Sequence, residues 1–541
     1  MSTVSPHKEA ALKVLMPMPA VCAVALVTAL VVPAAADWDA DLDSLLRGQD
    51  PEMQAALVAR VASDAPGWET VYQQLQTIAF EEPEQKGESL VFQALCDDDV
   101  ERPYVLYIPG AYVADEPSPL LVWLHGGANQ SDLPEDPIGV VKEYRAEVVE
   151  LAEQQGWLVL FPFAQHEAAW WDGVGIHNVL NQIRLTKAAY NVDDDCVWLG
   201  GFSDGGSAAY LFGMILPSDF AAFLALNGHM GVGSLGGDLP TYANNMAATP
   251  VYAINTGQDR LYPSRVMSRT IAMARRAGAD IYYKEYDDIG HDFAYAEREL
   301  PLITDFLHRH PRDPFPHEIT WEAAGKEYGR CRWFRIDDVA VAEAKPWHGD
   351  HNEIMVDERV AFGFYADYDY DGEGVRVDGL ADGDVLARRL PLQEGDVIVR
   401  CNDMDIKTHE DLNEFKDGIS RGDRVRVRVE RAGETVDLTA NLPEVQKHFL
   451  FKRDVPSAMA KVSFEANRVS VKGSRLGGFT LFLHPDMFDF DRRVLVEVDD
   501  DVVFEGYVEP NVEFMLRNFL ENRDRKALYV TELTVVLPES E

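Results

Sequence analysis

From about residue 90 to 290, short apolar runs alternate with amphipathic stretches of helical period. Residues 90–95, 104–108, 120–124, 157–161, 197–199, 250–255 and 281–286 read as strands. Between and after them, 142–155, 176–189, 207–216, 264–277 and a last stretch ending at His308 read as helices. Strands alternating with helices predict a mostly parallel, doubly wound α/β sheet covered on both faces, here over 89–312. Ahead of it, Leu42, Leu45, Val61, Val71 and Leu75 recur at helical spacing, so 37–88 is expected to be a helical segment packing on the α/β unit. After Pro311 the alternation stops. Strand-like runs appear at 318–321 and 330–339, a different pattern occupies 355–443, and 444–541 is again rich in strands. An isolated pair of strands is marginal, so 313–354 is expected to supply the first strands of a β-sandwich completed by 444–541.

At the N-terminus, Lys8 and Lys13 precede an apolar run from Val14 to Val32, and Ala34-Ala35-Ala36 offers a small-residue cleavage signal. Residues 1–36 therefore read as a signal peptide for export, cleaved before Asp37. The length of the run makes an uncleaved membrane anchor the alternative.

The chain of 541 residues carries 49 Lys and Arg against 91 Asp and Glu, a net charge of −42, which argues against nucleic acid or anionic membrane as a partner. Cys96, Cys196, Cys331 and Cys401 are scattered, with no C-x-x-C, so their state stays open between disulfides and buried thiols.

The chemistry gathers at strand ends. Gly201-Phe202-Ser203-Asp204-Gly205 is a G-x-S-x-G between a strand and a helix, a turn that presents a serine hydroxyl at the carboxyl edge of a sheet. His125-Gly126-Gly127-Ala128, Asp259 and His291 also follow strands, and the order is serine, acid, histidine. Ser203 is the candidate nucleophile, His291 its base and Asp259 the residue that orients the histidine. Asp287, Asp288 and Asp292 are rival acids. The Asp204 N–H, with one from Gly127 or Ala128, would form an oxyanion hole. Trp170 and Trp171 sit on the same edge, either walling a substrate pocket or packing the core.

These motifs, with Tyr104-Val105-Leu106-Tyr107-Ile108-Pro109, Leu124-His125-Gly126-Gly127 and Gly290-His291-Asp292, make residues 89–310 resemble the α/β-hydrolase superfamily. The nearest branch is that of secreted esterases, including polyhydroxybutyrate-depolymerase-like, feruloyl and acetyl-xylan esterases. The resemblance implies a serine esterase working through an acyl-enzyme, with no cofactor or metal, on an ester that is either small or polymeric.

Phe362-Gly363-Phe364 and Gly395-Asp396-Val397-Ile398 make 355–443 resemble a PDZ domain. That resemblance implies that Phe362, Gly363 and Phe364 hold a peptide carboxylate while the peptide adds as a strand. Asp367, Asp369 and Asp371 mimic the start of a calcium loop but lack flanking helices. His348 and His351 have no further ligands at metal spacing and read as surface residues. Two other readings remain open: a peptidase of the same superfamily, and an inactive scaffold binding peptides.

Overall fold

The computed structural model describes residues 37–538 except 49, 130–132, 358–359, 369 and 382, so the expected leader 1–36 lies outside the described residues. No described helix is long and apolar enough to cross a membrane.

An eight-stranded sheet forms the centre. Its strands are β1 (Glu88–Leu95), β2 (Glu101–Ile108), β3 (Ser118–Leu124), β4 (Leu158–Pro162), β5 (Val192–Phe202), β6 (Ala222–Leu226), β7 (Val251–Thr256) and β8 (Ile281–Tyr286). Their order is β1-β2-β4-β3-β5-β6-β7-β8. β2 pairs antiparallel with β1 and β4, and every other neighbouring pair is parallel. This is an α/β-hydrolase arrangement over part of the chain. Helices cover both faces, so β4, β6 and β7 are buried at every position and show no in-out alternation.

β6 is absent from the strands that the apolar pattern predicts. Ala222-Phe223-Leu224-Ala225-Leu226 is a five-residue apolar run without alternation or β-branching, which serves a buried strand or a buried helix equally well. The helix expected over 142–155 is two helices, Pro137–Tyr144 and Ala146–Gln155. Arg145 between them leaves the helical region at φ −141°, ψ 23°.

Two further sheets share a second core around Trp321, Trp333, Phe479, Leu481 and Val496. In the five-stranded sheet Glu318–Ala323 pairs with Ala458–Glu465; in the four-stranded sheet Phe334–Val339 pairs with Leu476–Leu483. The intervening chain forms a separate six-stranded unit with its own core, including Phe362, Val375, Ile398, Leu412 and Val427. A ribbon of Ile354–Asp357 and Gln446–Phe449 connects it. Met355, Leu450 and Phe451, on or beside that ribbon, pack into the core of the eight-stranded unit.

The N-terminal helices Trp38–Arg47, Pro51–Asp64 and Trp68–Gln76 do not rest chiefly on the α/β unit next to them in sequence. Leu45, Val61 and Leu75 share a core with Met515, Leu516 and Phe519 of the helix Val512–Asn522. Tyr72 adds a 3.0 Å hydrogen bond to Nε2 of His484. Buried ion pairs join the eight-stranded unit to the C-terminal sheets. The fully buried Arg312 guanidinium meets the carboxylates of Asp524 and Asp195, and Arg525 reaches Asp194 and the Asn191 side chain.

His348 is not a surface residue. It is buried, with Nε2 3.0 Å from Glu322 Oε1 and Nδ1 2.9 Å from Ser474 Oγ. Cys96, Cys196, Cys331 and Cys401 are all free thiols.

Candidate active site

β5 ends in a turn that only small neighbours permit. Ser203 sits at φ 61°, ψ −116°, a conformation costing about 1–3 kcal/mol for a residue with a side chain. A Cβ on Gly205 would lie 2.0 Å from the Leu124 carbonyl oxygen, and one on Gly201 2.2 Å from the same atom. The elbow is therefore wedged against the end of β3. It is fixed on its other side by a 2.9 Å bond from Ser203 N–H to the Leu226 carbonyl of β6. The helix Asp204–Ile215 starts at once, so its N-terminal N–H groups face the reacting edge.

The structure brings the three expected residues together. His291 Nε2 is 2.8 Å from Ser203 Oγ, and Nδ1 is 2.7 Å from Asp259 Oδ2. Of the candidate acids, Asp259 is the one that meets His291; Asp287, Asp288 and Asp292 are all exposed. Its other oxygen, Oδ1, accepts the N–H groups of Leu261 (2.8 Å) and Tyr262 (2.9 Å), while Asn227 Nδ2 donates to Oδ2 at 3.0 Å. Burial opposes the Asp259 charge, but the bonds from His291, the Tyr262 N–H and Asn227 outweigh it and hold the pKa below the usual carboxylate value. Asn227 is itself held by the Tyr295 hydroxyl at 2.7 Å. The His291 ring lies between Phe202 and Tyr262, with centroids at 5.0 and 6.0 Å.

Asn227 escaped the sequence reading for the same reason as β6. It comes directly after that strand, and with β6 recognised its place at the catalytic edge would have marked it. Beyond it, His229 lies 5.5 Å from Tyr262 by ring centroids, and Leu450 from the ribbon packs on Gly231 nearby.

The loop after β3 is anchored at several points. Trp170 Nε1 donates to the His125 carbonyl at 2.9 Å, and the Ala164 N–H donates to His125 Nε2 at 3.0 Å. Nδ1 thus carries the proton and donates to the Gly126 carbonyl at 2.8 Å. Burial pushes the His125 pKa down to about 4, so the ring is neutral.

Two expectations change here. Trp170 has no exposed surface and supports the loop from within the core, so it does not wall a pocket. Trp171 is partly exposed and packs against Gly236 and Gly237, next to the short helix Val232–Gly236. The Ala128 N–H is committed to Asp204 Oδ2 at 2.9 Å. The neighbouring Gly127 N–H also lies near that carboxylate. Gly126 passes so close that a Cβ there would lie 3.0 Å from Ser203 Cβ and 3.5 Å from its Oγ.

In the six-stranded unit Phe362 is core, with its ring 6.3 Å from that of Phe415, and Gly363 takes φ 76°. Phe364 begins the edge strand Phe364–Ala366. Between that strand and the helix His409–Asp417 lies a groove of about 270 Å³, lined among others by Phe364, Tyr365, His409, Leu412 and Lys416. The Asp367 carboxylate is paired with Arg376, and Asp369 lies outside the described residues.

No family model matches the chain. Over 135 residues it is 26% identical to acyl-protein thioesterase 1 of Gibberella zeae, covering 25% of this chain and 54% of that protein. It thus spans about half the length of that curated relative. Similar solved structures include a thermostable esterase (21% identity, TM-score 0.33, 41% of this chain and 63% of that one). A ferulic acid esterase also matches (16%, 0.34, 42% and 99%), as does the Pyrococcus horikoshii acylaminoacyl peptidase (15%, 0.34, 42% and 42%).

Proposed function

We propose that this chain is an exported serine hydrolase that cleaves carboxylic esters through an acyl-enzyme. The observation that carries the reading is the unbroken relay from Ser203 Oγ through His291 to Asp259 at 2.8 and 2.7 Å, on a strained strand-to-helix turn. Ser203 attacks the ester carbonyl while His291 Nε2 takes its proton. Asp259 keeps the imidazole proton on Nδ1 and stabilises the imidazolium. The N–H groups of Asp204 and Gly127 receive the oxyanion. His291 then protonates the leaving alcohol, and water admitted to the same base releases the acid. Export with cleavage after Ala36 completes this reading.

The groove beside Phe364–Ala366 favours a second role, in which the PDZ-like unit holds a peptide C-terminus and the β-sheets around it bind a partner or polymer. A peptidase of the same superfamily is the rival enzyme reading, and a scaffold without turnover the rival non-enzyme one.

The test is reaction of the protein with a fluorophosphonate probe, mapping of the labelled peptide, and turnover of matched ester and amide substrates. Label on Ser203 with ester turnover alone is expected. Amide turnover at comparable rates would replace esterase by peptidase, and an unlabelled folded protein would leave the scaffold.

A further inference from the structure

The residue after the nucleophile is expected to contribute only its main-chain N–H. Its side chain does something else. The Asp204 carboxylate crosses from the start of its helix to the loop after β3 and accepts the Ala128 N–H at 2.9 Å. Burial raises the Asp204 pKa, and the N–H groups of Ala128 and, less strongly, Gly127 partly offset that cost. Ala128 is wholly buried, so its N–H has no recourse to solvent. From the other side, His125 Nδ1–H holds the Gly126 carbonyl at 2.8 Å. A peptide group held by its carbonyl on one side and followed by an N–H held on the other cannot rotate. Gly126, Gly127 and Ala128 would otherwise form a loop with little side-chain restraint.

We propose that the Asp204 carboxylate is a positioning residue. It clamps the loop 125–128 to the nucleophile elbow and so fixes the spacing of the two oxyanion donors, Gly127 N–H and Asp204 N–H. It touches neither substrate nor the proton in transit; it acts through Ala128. Donors aimed in advance at the developing charge need no reorganisation during the reaction, and one such donor is worth about a hundredfold or more in kcat. A loop free to shift loses part of that.

The inference rests on the serine-hydrolase reading, and its test separates the two. Asp204→Ala and Asp204→Asn are made in the full protein. Their kcat, KM, melting temperature and affinity for a phenylboronic acid, which forms a tetrahedral adduct on serine, are compared with wild type. Asn keeps an oxygen acceptor for the Ala128 N–H. Asp204→Ala is expected to lose about tenfold or more in kcat with KM within about twofold, to lose boronate affinity in parallel, and to stay folded at assay temperature while melting somewhat lower, because the buried Ala128 N–H loses its acceptor. Asp204→Asn recovers most of both losses. Equal losses in the two variants, or an undiminished Asp204→Ala, would overturn the clamp.

Hydrogen exchange of the 124–129 peptide tests the clamp without turnover. Exchange should quicken in Asp204→Ala and not in Asp204→Asn, and unchanged exchange would refute it. Failure of the wild-type protein to label at Ser203 would instead refute the enzyme.

Discussion

Asp259 Oδ2 lies 2.7 Å from His291 Nδ1 and accepts a second bond there from Asn227, so the acid is held in place independently of the histidine it orients. Asp259→Asn should therefore keep the fold but present the wrong partner to Nδ1–H. A loss of about 10⁴ in kcat is expected with a melting temperature near wild type. Ser203→Ala and His291→Ala should each abolish fluorophosphonate labelling. Probe fluorescence and circular dichroism on the same samples check both halves.

Asn227 is bonded to Asp259, Thr256 and Tyr295, and is fully buried. Asn227→Ala takes the acceptor from the buried Tyr295 hydroxyl and one donor from Asp259. It should cost about 1–3 kcal/mol of stability per unsatisfied group and lower kcat more than KM. Urea unfolding alongside steady-state kinetics measures the two effects.

Two glycines of the site should respond differently to alanine. At Gly126 the added methyl meets the nucleophile itself, at 3.0 Å from Ser203 Cβ, and the residue has no positive φ. Gly126→Ala should fold and lose activity. At Gly205 the methyl would sit 2.0 Å from the Leu124 carbonyl oxygen, where only backbone movement makes room. Gly205→Ala should give little soluble protein. Expression yield and melting curves of the pair decide this.

Acid should weaken the fold through two buried histidines. Burial lowers His484 and His125 from 6.5 to about 4. Between those values the unfolded chain binds the protons and the folded one does not, so stability is present above pH 6.5 and falls as the pH drops towards 4. For one such group the loss is about 2 kcal/mol at pH 5. His484 faces Tyr72, Phe315, Tyr529 and Asp486. His484→Gln should flatten the slope of unfolding free energy between pH 7 and 5 by that amount, and an unchanged slope would show that this histidine does not set it.

Arg312 has its guanidinium fully buried against Asp524, also buried, and Asp195. Removing one partner leaves a charge without compensation. Arg312→Ala should cost about 3–5 kcal/mol, and exchanging Arg312 and Asp524 together for apolar residues should cost less. Denaturant midpoints of the two variants test the difference.

The sequence made Ser203, Asp259 and His291 legible because each comes after an apolar run at the edge where a parallel sheet places its loops. What it concealed had no periodic signature. β6 is too short and too alanine-rich to declare itself, and Asn227 went with it. The direction of the Asp204 side chain depends on where Ala128 arrives, which no local pattern states. Trp170 and Trp171 look alike in sequence, yet one is sealed beneath His125 and the other lies against Gly236. The N-terminal helices show a clear apolar face, but their partner helix lies more than four hundred residues further along.

That last pairing bears on the order in which a ribosome can finish this molecule. The eight-stranded sheet closes with β8 and the helix after it, and domains generally fold as they emerge. The face carrying Leu45, Val61 and Leu75 must then stay uncovered while the eight-stranded sheet, the six-stranded unit and most of the surrounding strands are made, because Met515, Leu516 and Phe519 follow more than four hundred residues later. A chain released early would carry a folded eight-stranded sheet beside an exposed apolar helical surface. Shielding of that surface until its partner helix is made, more than closure of the eight-stranded sheet, would govern how much of the chain reaches its folded state.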